Sequence, residues 1–108
     1  MITLTQSAAE QIRKASAEAK IGDDTRLRIA VRRADDGSLD YAMGFDETRS
    51  EDDVVISHGI EILVSESSRE LLDGATLDYV ELSPGVFEFI FHNQKDPLHR
   101  PAAPGGDR

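Results

Sequence analysis

The sequence predicts a mainly β, α+β domain: a compact pseudo-barrel or sandwich of short strands with an N-terminal helix and a second short helix. Three observations carry that reading. Residues 5–20 repeat their apolar positions at helical spacing, whereas residues 25–33 and 38–46 alternate apolar and polar side chains with a period of two. Turn signals then recur at short intervals, at His58-Gly59, at Gly74 and at Ser83-Pro84-Gly85.

Taken in order, "TQSAAEQIRKASAEAK" is the first helix. Thr5 or Ser7 supplies the N-cap, Ser7 and Glu10 have capping-box spacing, Ala8, Ile12, Ala15 and Ala19 share one face, and Gly22 is its stop. "TRLRIAVRR" turns Leu27, Ile29 and Val31 one way and three arginines the other. "SLDYAMGFD" does the same with Leu39, Tyr41, Met43 and Phe45. "DETRSEDD" is expected to be a solvated loop. "DDVVIS" and "IEILVS" form a pair around His58-Gly59. "SESSRELLDG" is the second helix, with Ser65 or Ser67 as cap, Leu71 and Leu72 docking, and Gly74 as stop. "TLDYVEL" and "VFEFIFH" make the last hairpin, whose Phe87, Phe89 and Phe91 are the expected aromatic wall of the core, against Leu27, Ile29, Val31, Tyr41 and Phe45.

One domain is expected over residues 1–92. Residues 93–108 hold three of the four prolines and a Gly-Gly pair, with Leu98 the only large apolar residue. That composition buries too little to offset ordering entropy, so a disordered tail is expected.

The formal net charge of −9 argues against nucleic acid and against anionic membrane surfaces, both of which call for a basic face. The chain has no cysteine, which removes disulfides, thiolate zinc sites, cysteine nucleophiles and cysteine-ligated clusters. Neither a signal peptide nor an apolar run of membrane-spanning length is visible, and a cytoplasmic location is expected.

The stretch with the most chemistry is "RRADDGSLDY", residues 32–41. It fails as an EF-hand: counting back from Gly37 in steps that calcium ligation needs gives Asp36, Ala34 and Arg32, and arginine cannot ligate. A looser hard-cation site from Asp35, Asp36 and Asp40 stays open. His58, His92 and His99 show no i,i+3 or i,i+4 spacing, and no nucleophile elbow, phosphate loop or H-E-x-x-H motif is present. Chemistry alone names no reaction.

The order of elements does carry a resemblance. "ITLTQSAAEQI", "LRIAVRRADDGSLDYAMGF", "DGATLDYVE" and "FEFIFHN" together resemble the A-type iron–sulfur carriers, the HesB/IscA-like family, in register from Ile2 to about Asn93. The resemblance implies a compact HesB-like fold and dimers or tetramers. It also implies three cysteine ligands, one in a glycine-rich loop and two in a C-terminal Cys-Gly-Cys. In register those positions hold Asp36, Arg100 and Ala102, so this is a member without the cluster ligands. A carboxylate, a guanidinium and a methyl group do not replace thiolates.

The expectation is therefore a non-enzymatic module without a cofactor. It works through protein contacts, with itself as a homodimer or with another component of iron–sulfur assembly. The rival is an iron or other hard-metal binder using Asp36, Asp40, His92 and His99. An enzyme using the acidic loop as a base ranks behind both.

Overall fold

The computed structural model describes residues 1–96. It contains β1 (Thr3–Leu4), α1 (Gln6–Ala19), β2 (Thr25–Arg33), β3 (Leu39–Glu47), β4 (Asp53–Ser57), β5 (Ile60–Val64), α2 (Glu66–Leu72), β6 (Thr76–Ser83) and β7 (Val86–His92). The strands form two mixed sheets, β1-β6-β7 and β3-β2-β5-β4, facing one another without closing into a barrel. The mainly β, α+β expectation therefore holds, as an open two-sheet arrangement with both helices in their expected places.

α1 starts at Thr5, whose hydroxyl accepts the Ala8 N–H at 3.1 Å and donates to Asp78 at 2.8 Å. Ser7 is too late to cap; it donates instead to the Tyr79 carbonyl at 2.7 Å, and Glu10 accepts from Gln6. The expected capping box therefore does not form. The helix ends at Lys20 rather than Gly22: Lys20 takes the left-handed conformation and returns its N–H to the last turn. Ala8, Ala9 and Ile12 are its buried face, and the helix packs against β6.

β2 is the spine of the larger sheet. It pairs antiparallel with β3 along all nine residues and parallel with β5 at Leu27–Arg28. Alternation sends Leu27, Ile29 and Val31 into the core with Ile62, Val64, Leu72 and Leu77. Beyond Val64 the chain leaves the sheet for α2. There the buried Ser68 hydroxyl accepts the Val31 N–H at 3.0 Å and donates to the Val31 carbonyl at 3.2 Å, replacing a strand at the β2 edge. Ser65 is the N-cap of α2 by position, its carbonyl rather than its side chain accepting the Ser68 N–H.

The smaller sheet holds a strand that the periodicity did not reveal. β1 lies parallel to β6, with Thr3 N–H on the Ala75 carbonyl and Thr5 N–H on the Leu77 carbonyl, both at 3.0 Å. Two residues give no period to read. The aromatic wall is also less buried than its sequence suggests. Phe91 stacks on Tyr41 with centroids 4.0 Å apart and Phe89 packs against the core, but Phe87, at the hairpin end, is 49% exposed and stacks on Tyr79. Val86, beside it at the turn, is 48% exposed, so the tip of the hairpin is open among the described residues.

The segment "DETRSEDD" departs most from expectation. Arg28, on the outer face of β2, clasps both ends of it: Nε donates to Asp46 at 2.7 Å, while Nη1 and Nη2 donate to Asp52 at 2.9 and 2.6 Å. The Asp52 side chain is 2% exposed. Hydrogen bonds from Arg28, and from the Arg49 N–H at 2.7 Å, outweigh its desolvation and hold its pKa down to about 2. Arg28→Met should cost about 2 kcal/mol in chemical denaturation, because it strands a covered carboxylate. The sign with pH follows: the native pKa is depressed, so this contribution is whole above about pH 4 and fades as pH falls towards 2. Arg28→Met should therefore show a shallower loss of stability than the parent between those limits.

Candidate functional site

The β2–β3 connection, residues 34–38, is the loop that the sequence marked. Ala34 N–H donates to the Ser38 carbonyl at 2.8 Å and Gly37 N–H to the Ala34 carbonyl at 2.9 Å, which closes a tight turn. Gly37 has φ 89°, a conformation that costs glycine nothing and explains its place. Within the turn, Asp36 Oδ1 accepts from both the N–H and the hydroxyl of Ser38, at 3.0 and 2.6 Å. This is an Asx turn, and the Ser38 hydroxyl bond is the main reason that the Asp36 pKa lies below the ordinary carboxylate value. Arg33 Nη1 donates to the Gly37 carbonyl at 2.6 Å, placing a fixed positive charge beside the turn. Asp40 pairs with Arg32 at 3.4 Å on the exposed outer face. Asp36 is thus spent within the loop and Asp40 on Arg32, while Asp35 has no hydrogen bond or ion pair to either of them among the described residues.

The other sequence-marked residues do not join it. His92 ends β7 and lines a shallow cleft with Asp73, Gly74, Asn93 and Lys95. Tyr41 and Phe91 meet face to face, and strand alternation turns their neighbours Asp40 and His92 away from that contact. Among the described residues no group of three His, Asp or Glu side chains could hold a metal ion. His99, Arg100 and Ala102 lie outside the described residues, as does the rest of the segment after Asp96.

Two features near the end of the described chain escaped the sequence reading. Asn93 is 2% exposed; its Nδ2 donates to the Leu71 carbonyl at 2.7 Å and its Oδ1 accepts the Lys95 N–H at 3.0 Å. Lys95 Nζ then reaches the Glu70 and Asp73 carbonyls at 3.0 and 2.8 Å, capping the C-terminus of α2. An asparagine just before a polar, proline-rich run reads as loop, and only the nearness of α2 buries it. Asn93→Ala should cost about 1–2 kcal/mol in thermal unfolding through the orphaned Leu71 carbonyl and the released Lys95. Beside it, Tyr41 keeps a buried hydroxyl that meets no hydrogen-bond partner at good geometry among the described residues; burial is the main cause of its raised pKa, partly offset by interaction with the Asn93 side chain.

The order of helix, paired strands and short second helix around an exposed β2–β3 loop has counterparts among known proteins. The family model described as iron-sulphur cluster biosynthesis matches residues 1–95. The chain belongs to that family. An iron-sulfur cluster insertion protein, ErpA, of Marinobacter nauticus is 34% identical over 90 residues, covering 82% of this chain and 80% of the relative. An uncharacterized protein of Bradyrhizobium diazoefficiens is 38% identical over 96 residues, covering 86% and 87%. Among solved structures, a crystal structure of IscA with its [2Fe-2S] cluster superposes with a TM-score of 0.70 at 26% identity, covering 87% of this chain and 86% of that one. Escherichia coli SufA does so at 0.68 and 25% identity, with the same coverage.

Within the iron-sulphur cluster biosynthesis family, this member contains no cysteine at all. The donor set of the β2–β3 loop is a hydrogen-bonded carboxylate beside a guanidinium, which does not fit a cluster that is held by soft thiolates.

Proposed function

We propose that this protein is a cysteine-free member of the family that acts through protein contacts within iron–sulfur assembly, not by carrying a cluster and not as an enzyme. One observation carries the proposal: the family model matches residues 1–95 and the fold resembles that of IscA, while the chain has no cysteine to supply a thiolate. The site geometry supports it, since the carboxylate at the expected ligand position is already engaged by Ser38 and its neighbour Arg33 would repel an incoming cation. Family members work with protein partners and often oligomerise, so the retained fold is read as a retained contact surface, a homodimer included. The exposed Phe87 and Val86 at the tip of the last hairpin are apolar surface for such contacts.

The test is anaerobic incubation with ferrous iron and sulfide, followed by desalting and iron and sulfide analysis. The protein should emerge colourless and without sulfide. A stable, coloured, stoichiometric product would reject the proposal. Iron retained without sulfide would instead support the hard-metal reading, with Asp36, Asp40, His92 or His99 as candidate ligands. Light scattering at high concentration checks self-association, which a monomer mass would rule out.

A further inference from the structure

The edge strands of the two sheets come together at one point, and a cleft lies beside it. β1 and β4 are terminal strands of their respective sheets. Thr3 and Thr5, in and just after β1, spend their N–H groups on β6 and the residue before it, so the intervening N–H groups face β4. At one point the strands are joined: Leu4 N–H donates to Ser57 Oγ at 3.0 Å. A cleft of about 690 Å³ is lined by Met1–Ile2 on one side, by Asp53–Val55 on another and by residues of α2. Its volume is in the range of binding pockets.

The floor is apolar, from Ile2, Val55, Val64 and Leu72, and Val54 at the mouth is 46% exposed. The rim is acidic. Asp53 is paired with Arg69 and Asp73 with the N-terminal ammonium, but Glu66 and Glu70 have no ion pair among the described residues. An open slot between two strand edges suits an added strand, which satisfies main-chain groups on either side and presents alternate side chains to floor and rim. We propose that this seam docks an extended segment of a partner protein in which apolar residues alternate with Lys or Arg. The inference rests on the reading of the chain as a protein-contact module, and names where one contact is made and with what chemistry.

The test uses the ¹⁵N-labelled full chain titrated with an acetylated, amidated Lys-Val-Lys-Val-Lys-Val-Lys peptide as probe. Amide signals of Ile2, Val54 and Val55 should shift and saturate. The double variant Glu66→Lys, Glu70→Lys should weaken binding about tenfold or more at low salt. The equal charge change Glu18→Lys, Glu88→Lys, away from the cleft, should leave the affinity within about twofold. Shifts confined to other surfaces overturn the proposal. So do equal losses for both double variants, which would report net charge alone, and equal binding of a block peptide with the same composition. Tighter binding by a chain ending at Asp96 would assign the seam to this chain's own C-terminal segment and overturn the partner as its occupant. None of these readouts depends on cluster uptake, so this inference and the proposed function can fail separately.

Discussion

Leu77→Ala is expected to destabilise the protein by about 3–4 kcal/mol, more than truncation of any half-exposed side chain. Leu77 is fully buried in β6, between Leu4 of β1 and Phe91 of β7, and it faces the core that Ile29 and Ile62 build from the opposite sheet. Removing three carbons there opens a cavity that the flanking β-strands cannot close, since both are held by backbone hydrogen bonds. For a domain of about 100 residues each kcal/mol lowers the thermal midpoint by about 4–8 °C, so calorimetry should show a fall of at least about 12 °C. Phe87→Ala is the control: the ring is half exposed and should cost below about 1 kcal/mol. Equal effects for the two substitutions would mean that the hairpin tip is covered in solution, as a dimer contact would cover it.

The second large effect is a gain. The triple change Asp36→Cys, Arg100→Cys, Ala102→Cys should give visible sulfur-to-iron charge-transfer absorbance after anaerobic reconstitution, where the parent gives none. Two changes act together at the loop. A thiol in place of the Asp36 carboxylate cannot hold both hydrogen bonds that Ser38 donates there, so the turn loses its internal tie, and a soft sulfur replaces a hard oxygen. Changing Arg100 also removes a permanent cation. Binding should remain weaker than in thiolate-bearing relatives, because Arg33, Ala34 and Asp35 stand where the resemblance expects glycines, and Arg33 still donates to the loop. Asp36→Cys alone should stay colourless, since one thiolate cannot hold a cluster. A triple variant that stays colourless would reject the register that places the second and third ligands at Arg100 and Ala102.

Much of the fold was legible because its signals are local. The alternation in residues 25–33 and 39–45 marks one face for burial, so β2 and β3 were readable as strands, although Met43, expected on the inner face, is 37% exposed. His58 and Gly59 both adopt positive φ, as the turn between β4 and β5 demands. The site was legible as a position: the loop at Asp36 stood out by composition and by its place in the family order.

By itself, then, the sequence determined the types of the longer elements and the lack of any thiolate ligand, since each follows from residue identity and short spacing, while the family rested on a resemblance in the order of whole stretches. Tertiary structure alone decided which edges meet. β1 is two residues long and exists as a strand only because the β6 chain offers it carbonyls. Asp52 looks like one more carboxylate in a charged loop until β2 brings Arg28 under it, and Phe87 looks like core although the fold leaves it half exposed. The acid-rimmed seam joins residues from β1, β4 and α2 that are distant in the chain. Burial and edge pairing are set by contacts far apart in sequence, and no local period encodes them.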